Sequence, residues 1–176
     1  DTIPQISLKD IQNLKGKPYS DAALLVAKAF LADEFSPEVL EYVVTDSYNY
    51  PVPLEEVRPR NYVMRLDQGP TASFKDFAAR MMARLMGNCR PKGERLNILV
   101  ATSGDTGSAV GEAFKGVAGI DVTILYPENE VSGMQKKQLD TIGGNVQALS
   151  VSGKFDDCQN LVKQAFSDPQ IAKFNL

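Results

Sequence analysis

The sequence predicts an α/β fold: a parallel sheet with flanking helices, preceded by a mostly helical N-terminal segment. Three observations carry this. Beyond Leu96, short β-branched apolar runs alternate with stretches of helical periodicity. Glycines stand where those helices are due to end, at Gly116 and Gly143-Gly144. Before Arg60 the pattern is helical, with Pro and Gly punctuation. The organisation read from this is an N-terminal helical segment over 1–60, then a strand, a lysine-bearing loop and a helix over 61–95. A smaller α/β domain over 96–176 completes it.

The elements follow in order. Asp21 begins an apolar helix through Ala32. Ser36-Pro37-Glu38 reads as an N-cap with proline at the first helical position, opening a helix to about Thr45. Asn49 to Leu54 is a loop, because two prolines block regular pairing. A strand over Tyr62–Leu66 precedes a Gly69-Pro70 turn and a helix with apolar residues at Phe74, Phe77, Ala78, Met81, Met82 and Leu85. Ser73 as N-cap and Asp76 three residues on resemble a capping box. Strands at Asn97–Thr102, Val122–Tyr126 and Val146–Val151 suit buried parallel strands. Helices are expected at about 106–115, 132–142 and 155–166, which makes right-handed βαβ units.

Composition removes several chemistries. The 176 residues hold 43% hydrophobic side chains and a net charge of −3, with no basic excess to attract nucleic acid or an anionic membrane. No apolar run approaches the ~20 residues of a membrane-spanning helix. With no signal segment at the start, the chain reads as cytoplasmic. It opens on Asp1, so it is read as starting inside a longer polypeptide. Cys89 and Cys158 form no paired motif and read as reduced thiols. The absence of histidine excludes Ser-His-Asp and Cys-His nucleophile systems and His-based zinc sites, and no metal site is expected. Proton transfer then falls to Lys, Asp, Glu or Tyr.

Ligands of parallel α/β sheets sit beyond the carboxyl ends of strands, and two loops qualify. The first, over 67–73, leads into Lys75 in the first turn of a helix. A cation there is disfavoured by roughly 0.3–1 kcal/mol, which favours a lysine nucleophile able to form a Schiff base. Lysines in first turns are also common without any such role. The second loop, Thr102-Ser103-Gly104-Asp105-Thr106-Gly107, follows a strand and opens a helix. Its small residues leave backbone N–H groups for a carboxylate or phosphate, with Ser103 and Thr106 hydroxyls beside them. The plainer reading is a tight turn capped by Asp105. Neither a Walker A motif nor a G-x-G-x-x-G pattern is present, so nucleotide binding is the weaker anion-site reading.

Taken together, the run from Gly69-Pro70-Thr71 through Ser73-Phe74-Lys75-Asp76-Phe77 resembles the threonine synthase family. So do Ala101 to Ser108, Leu125-Tyr126-Pro127, Val131 to Gln138, Gly143 to Val146 and Phe155 to Gln159. These are pyridoxal-phosphate enzymes of the tryptophan-synthase-β fold type (fold type II), built of two domains. The resemblance covers most of the chain in order. It implies that Lys75 holds pyridoxal 5′-phosphate and moves protons at the substrate's α and β carbons. It also implies that Phe74 and Asp105 lie at the cofactor, and that Ser103, Gly104 and Thr106 receive the substrate carboxylate. The implied substrate is a small phosphorylated amino acid, O-phospho-L-homoserine, converted with water to L-threonine and phosphate. Asp105 stands where this fold type commonly has Asn. Gln68 stands where many relatives have His, so the position cannot titrate near neutral pH.

The family continues into a second domain that carries a glycine-rich phosphate loop and a partner for the pyridine nitrogen. Neither pattern occurs in this sequence. The chain is therefore read as truncated at both ends and as inactive in isolation, and its oligomeric state stays open. Three alternatives remain: a related lyase acting on another phosphorylated amino acid, a non-catalytic binding or assembly module of the same fold, and a Rossmann-type nucleotide binder using Glu128.

Overall fold

A computed structural model describes residues 3–91 and 93–174. The chain divides into two compact units, Asp1–Gly69 and Pro70–Leu176. In the first unit, helices α1 (Leu8–Gln12), α2 (Tyr19–Leu31) and α3 (Pro37–Ser47) come before a two-stranded ladder. Ser36 Oγ accepts the Val39 N–H at 3.4 Å, the N-cap expected before Pro37. Helices α2 and α3 pack together, and Leu40, Val43 and Val44 are buried. Tyr19 and Tyr48 meet edge to face at 5.4 Å, and burial raises the pKa of both phenols.

One expectation fails here and one is met with shifted bounds. Leu54 opens a strand, β1 (Leu54–Arg58), and the strand expected at Tyr62–Leu66 is β2 (Asn61–Met64). They pair antiparallel across Pro59-Arg60, with Arg60 at φ +64°, and every residue of both is exposed. The loop over 67–73 therefore does not follow a strand of the parallel sheet. The physical reason is the turn: a left-handed residue directly after proline reverses the chain in two residues.

The second unit holds α4 (Lys75–Cys89), β3 (Leu96–Ala101), α5 (Asp105–Phe114), β4 (Ile120–Pro127), α6 (Gly133–Asp140), β5 (Val146–Val151), α7 (Phe155–Ser167) and α8 (Pro169–Ala172). The sheet order is β3-β4-β5, all parallel, with Ile98 opposite Val122 and Ile124 opposite Ala148. Only β4 is buried along one whole face, through Ile120, Val122, Ile124 and Tyr126. β3 and β5 are edges and stay half-covered, which corrects the expectation of three buried strands. Residues of α4, α5, α6, β4 and β5 form one core cluster. Helix α7 packs on β3 and β4 without joining that cluster, so it covers the other face.

Helix α4 turns a different stripe inward than its apolar periodicity predicts. Asp76, Ala79, Arg80 and Ala83 are buried, whereas Phe74 is 62% and Met82 42% exposed. The small side chains of Ala79 and Ala83 let α4 approach Ala109 and Ala113 of α5 closely. Asp76 is drawn in by the loop it holds. Of the two cysteines, Cys158 is buried and Cys89 exposed, both as free thiols, and burial raises the Cys158 pKa.

Candidate active site

The site begins with the turn into α4. Thr71 donates its N–H to Asp76 Oδ2 at 2.9 Å and its hydroxyl to Oδ1 at 2.7 Å. The buried Asp76 carboxylate thus ties down the Gly-Pro-Thr turn. The expected capping box is absent for this reason, since both Asp76 oxygens are engaged by Thr71. Ser73 Oγ accepts the Lys75 N–H at 3.3 Å, and Phe74 takes the N-cap position. Between Thr71 and Ser73, Ala72 sits at φ +56°, a left-handed conformation that strains a residue with a Cβ. Lys75 emerges from this braced turn as the first residue of α4, half-buried, with Nζ 4.3 Å from the Phe74 ring centroid.

The second loop is organised by Thr102, a residue the sequence reading passed over. Its side chain is 1% exposed, and Oγ1 accepts the N–H groups of Gly104 at 3.0 Å and Gly107 at 2.8 Å. A Cβ on Gly107 would stand 2.4 Å from Thr102 Cγ2, so the close approach requires glycine. With those inner N–H groups taken, the N–H groups of Ser103, Asp105 and Thr106 have no acceptor among the described residues. All three residues are exposed. Asp105 does not cap α5: Gly104 is the N-cap residue, and Asp105 Oδ1 instead accepts from Gln135 Nε2 at 2.8 Å.

Helices α4 and α5 run in the same direction. Thr71 lines a groove with Ser108, Arg84 Nη1 donates to the Ala113 carbonyl at 3.0 Å, and Gly87 lies against Val117. The order of these contacts is the same along both segments, so Lys75 and Asp105 begin at the same end. That end is the carboxyl edge of β3, where α6 also starts after β4. The structure therefore brings Lys75 and Phe74 to the end of the unit that carries Ser103, Gly104, Asp105 and Thr106. Gln68 belongs to the first unit, where its amide donates to Asp67 Oδ1 at 3.1 Å. Arg65 also grips Asp67, at 2.7 and 2.9 Å, and holds its carboxyl well below the usual carboxylate range, with Gln68 adding to the effect.

The donor set suits pyridoxal phosphate: one primary amine for an aldehyde, beside open N–H groups for an anion. The sequence profile of the family described as pyridoxal-phosphate dependent enzyme matches residues 47–175. The chain belongs to that family. It is 40% identical to the threonine synthase of Haemophilus influenzae over 171 residues, covering 97% of this chain and 40% of that protein. To the threonine synthase of Escherichia coli it is 38% identical, covering 96% and 39%. The pyridoxal-phosphate-bound threonine synthase structure from Brucella melitensis superposes with a TM-score of 0.89 at 40% identity, over 97% of this chain and 38% of that one. The yeast threonine synthase structure gives 0.83 at 30% identity, over 97% and 38%. The chain thus carries the α/β fold of these enzymes while spanning about 40% of the length of the curated relatives it matches. Among the described residues no helix is long and apolar enough to cross a membrane, and no cluster of three His, Cys, Asp or Glu residues could hold a metal.

Proposed function

We propose that this chain is the lysine-bearing portion of a threonine synthase, which converts O-phospho-L-homoserine and water to L-threonine and phosphate. The observation that carries the reading is the placement of Lys75 at the same sheet edge as the open N–H groups of Ser103, Asp105 and Thr106. Likeness to threonine synthases along nearly the whole chain supports it. Lys75 would hold the cofactor covalently, with Phe74 and Asp105 beside it. When bound, pyridoxal phosphate supplies the electron sink. The open N–H groups of Ser103, Asp105 and Thr106 receive the substrate carboxylate at the positive end of α5, which orients the α carbon toward the Lys75 amine. Gly104, whose own N–H is held by Thr102 Oγ1, shapes the turn instead of donating. That amine moves protons at the α and β carbons while the γ-phosphate leaves and water adds at the β carbon. Asp76 and Thr71 brace the turn that aims the lysine.

The test uses the whole protein containing this chain, loaded with pyridoxal phosphate and given O-phospho-L-homoserine. L-threonine and phosphate should appear in equal amounts, and Lys75→Ala should lower turnover by at least ~10³-fold. A 2-oxo acid product in place of L-threonine would assign the chain to a related lyase instead.

A further inference from the structure

We propose that Gln135 is a positioning residue of this site: it holds the Asp105 carboxylate off the N–H groups at the start of α5, keeping them open for the anionic end of a ligand. The inference rests on the reading of that loop as the place that receives the substrate carboxylate.

A carboxylate in the first turn of a helix is attracted by the unpaired N–H groups at that positive end. Asp105 stays clear of them. Its carboxylate accepts none of them, and its donor among the described residues is Gln135 Nε2, at 2.8 Å. Gln135 is itself fixed at its other end. Its Oε1 accepts the Ser132 N–H at 3.0 Å, and its own N–H donates to Ser132 Oγ at 3.2 Å, a complete capping box at the start of α6. One side-chain amide therefore spans two helix starts, its carbonyl oxygen on α6 and its amino group on α5. Gly104 gives it room: φ is +137°, and a Cβ there would stand 2.3 Å from Gln135 Nε2. The two ends of the amide have separable tasks. A glutamate serves a capping box as well as glutamine does, but an ionised glutamate cannot donate to Asp105.

That asymmetry supplies the experiment. In the whole protein with cofactor removed, inorganic phosphate is titrated and followed on the amide resonances of Ser103, Asp105 and Thr106. Gln135→Glu should leave the melting temperature unchanged yet weaken phosphate binding at those amides about tenfold, because the two carboxylates repel and Asp105 swings onto the N–H groups. Gln135→Met, which adds no charge, should weaken it as well. The exchanged pair Gln135→Glu with Asp105→Asn restores a donor facing an acceptor at the native net charge. It should return the affinity to within about threefold of the native value.

In the loaded enzyme, Gln135→Glu should raise KM for the amino-acid substrate more than it lowers kcat. Native affinity in Gln135→Glu overturns the proposal. So does failure of the exchanged pair to restore binding, or a loss of binding that tracks a fall in melting temperature. If the native protein makes no L-threonine while the exchange pattern holds at the amides, the assigned reaction falls and the clamp stands. If the native amides ignore phosphate, the clamp falls whatever the reaction.

Discussion

The two ends of helix α5 are built on opposite terms. At its C-terminal end, one side chain satisfies the backbone: Asn145 donates to the carbonyls of Phe114 at 3.0 Å and Ile120 at 2.6 Å, and accepts the Gly116 N–H at 2.7 Å. At its N-terminal end, Thr102 pairs the inner N–H groups while those of Ser103, Asp105 and Thr106 are left open. Closed hydrogen bonding adds stability, and open donors keep binding capacity. The difference teaches where in one short helix the chain is anchored and where it is poised to receive a ligand.

Thr102→Val should break this contrast most strongly. The shape is kept, but the N–H groups of Gly104 and Gly107 lose their acceptor, at a cost of about 1–3 kcal/mol by denaturant melts. The loop should also lose its form, so turnover in the whole enzyme should fall at least about tenfold. Native turnover in this variant would show that the loop does not depend on its interior anchor.

Asn145→Ala works on the opposite end. It removes three hydrogen bonds and should destabilise the fold by about 2–3 kcal/mol, while KM and kcat measured well below the melting temperature stay near native values. A large rise in KM would mean that the two ends are coupled through α5.

The smallest effect is expected from the exposed Arg65–Asp67 pair of the first unit. Because the folded-state pKa of Asp67 is depressed, its contribution is present above the unfolded value near 4 and is lost as pH falls further toward the folded value. Arg65→Met should flatten the stability slope below about pH 4, and added salt should do the same in the native chain. A slope unchanged by both would assign the acid sensitivity to other carboxylates.

Much of the α/β unit is legible because its signals are local. The strand expected at Val146–Val151 coincides with the observed bounds of β5, and α7 starts at Phe155 as the periodicity predicts. The hairpin of β1 and β2 is harder to see. Glu55, Glu56 and Arg58 carry weak strand preference, and the left-handed Arg60 has no glycine to announce it. The α4 face is misread for a related reason. Periodicity ranks residues by hydrophobicity, whereas helix-to-helix packing selected the small Ala79 and Ala83 and admitted an Asp76 whose charge is met by Thr71.

The site divides along the same line. Lys75 at a helix start, the small-residue loop over 102–107 and the missing histidines are properties of residue type and spacing, readable before any fold is known. Ser132-x-x-Gln135 is a readable capping pattern as well, and it accounts for one end of the glutamine. Its other end, on Asp105 thirty residues earlier, came into view only when two βα crossovers set α5 and α6 side by side. Short-range preferences choose helix, strand and turn, because they act through each residue's own backbone and near neighbours. Which N–H groups stay open depends on side chains distant in sequence that packing delivers to the same sheet edge.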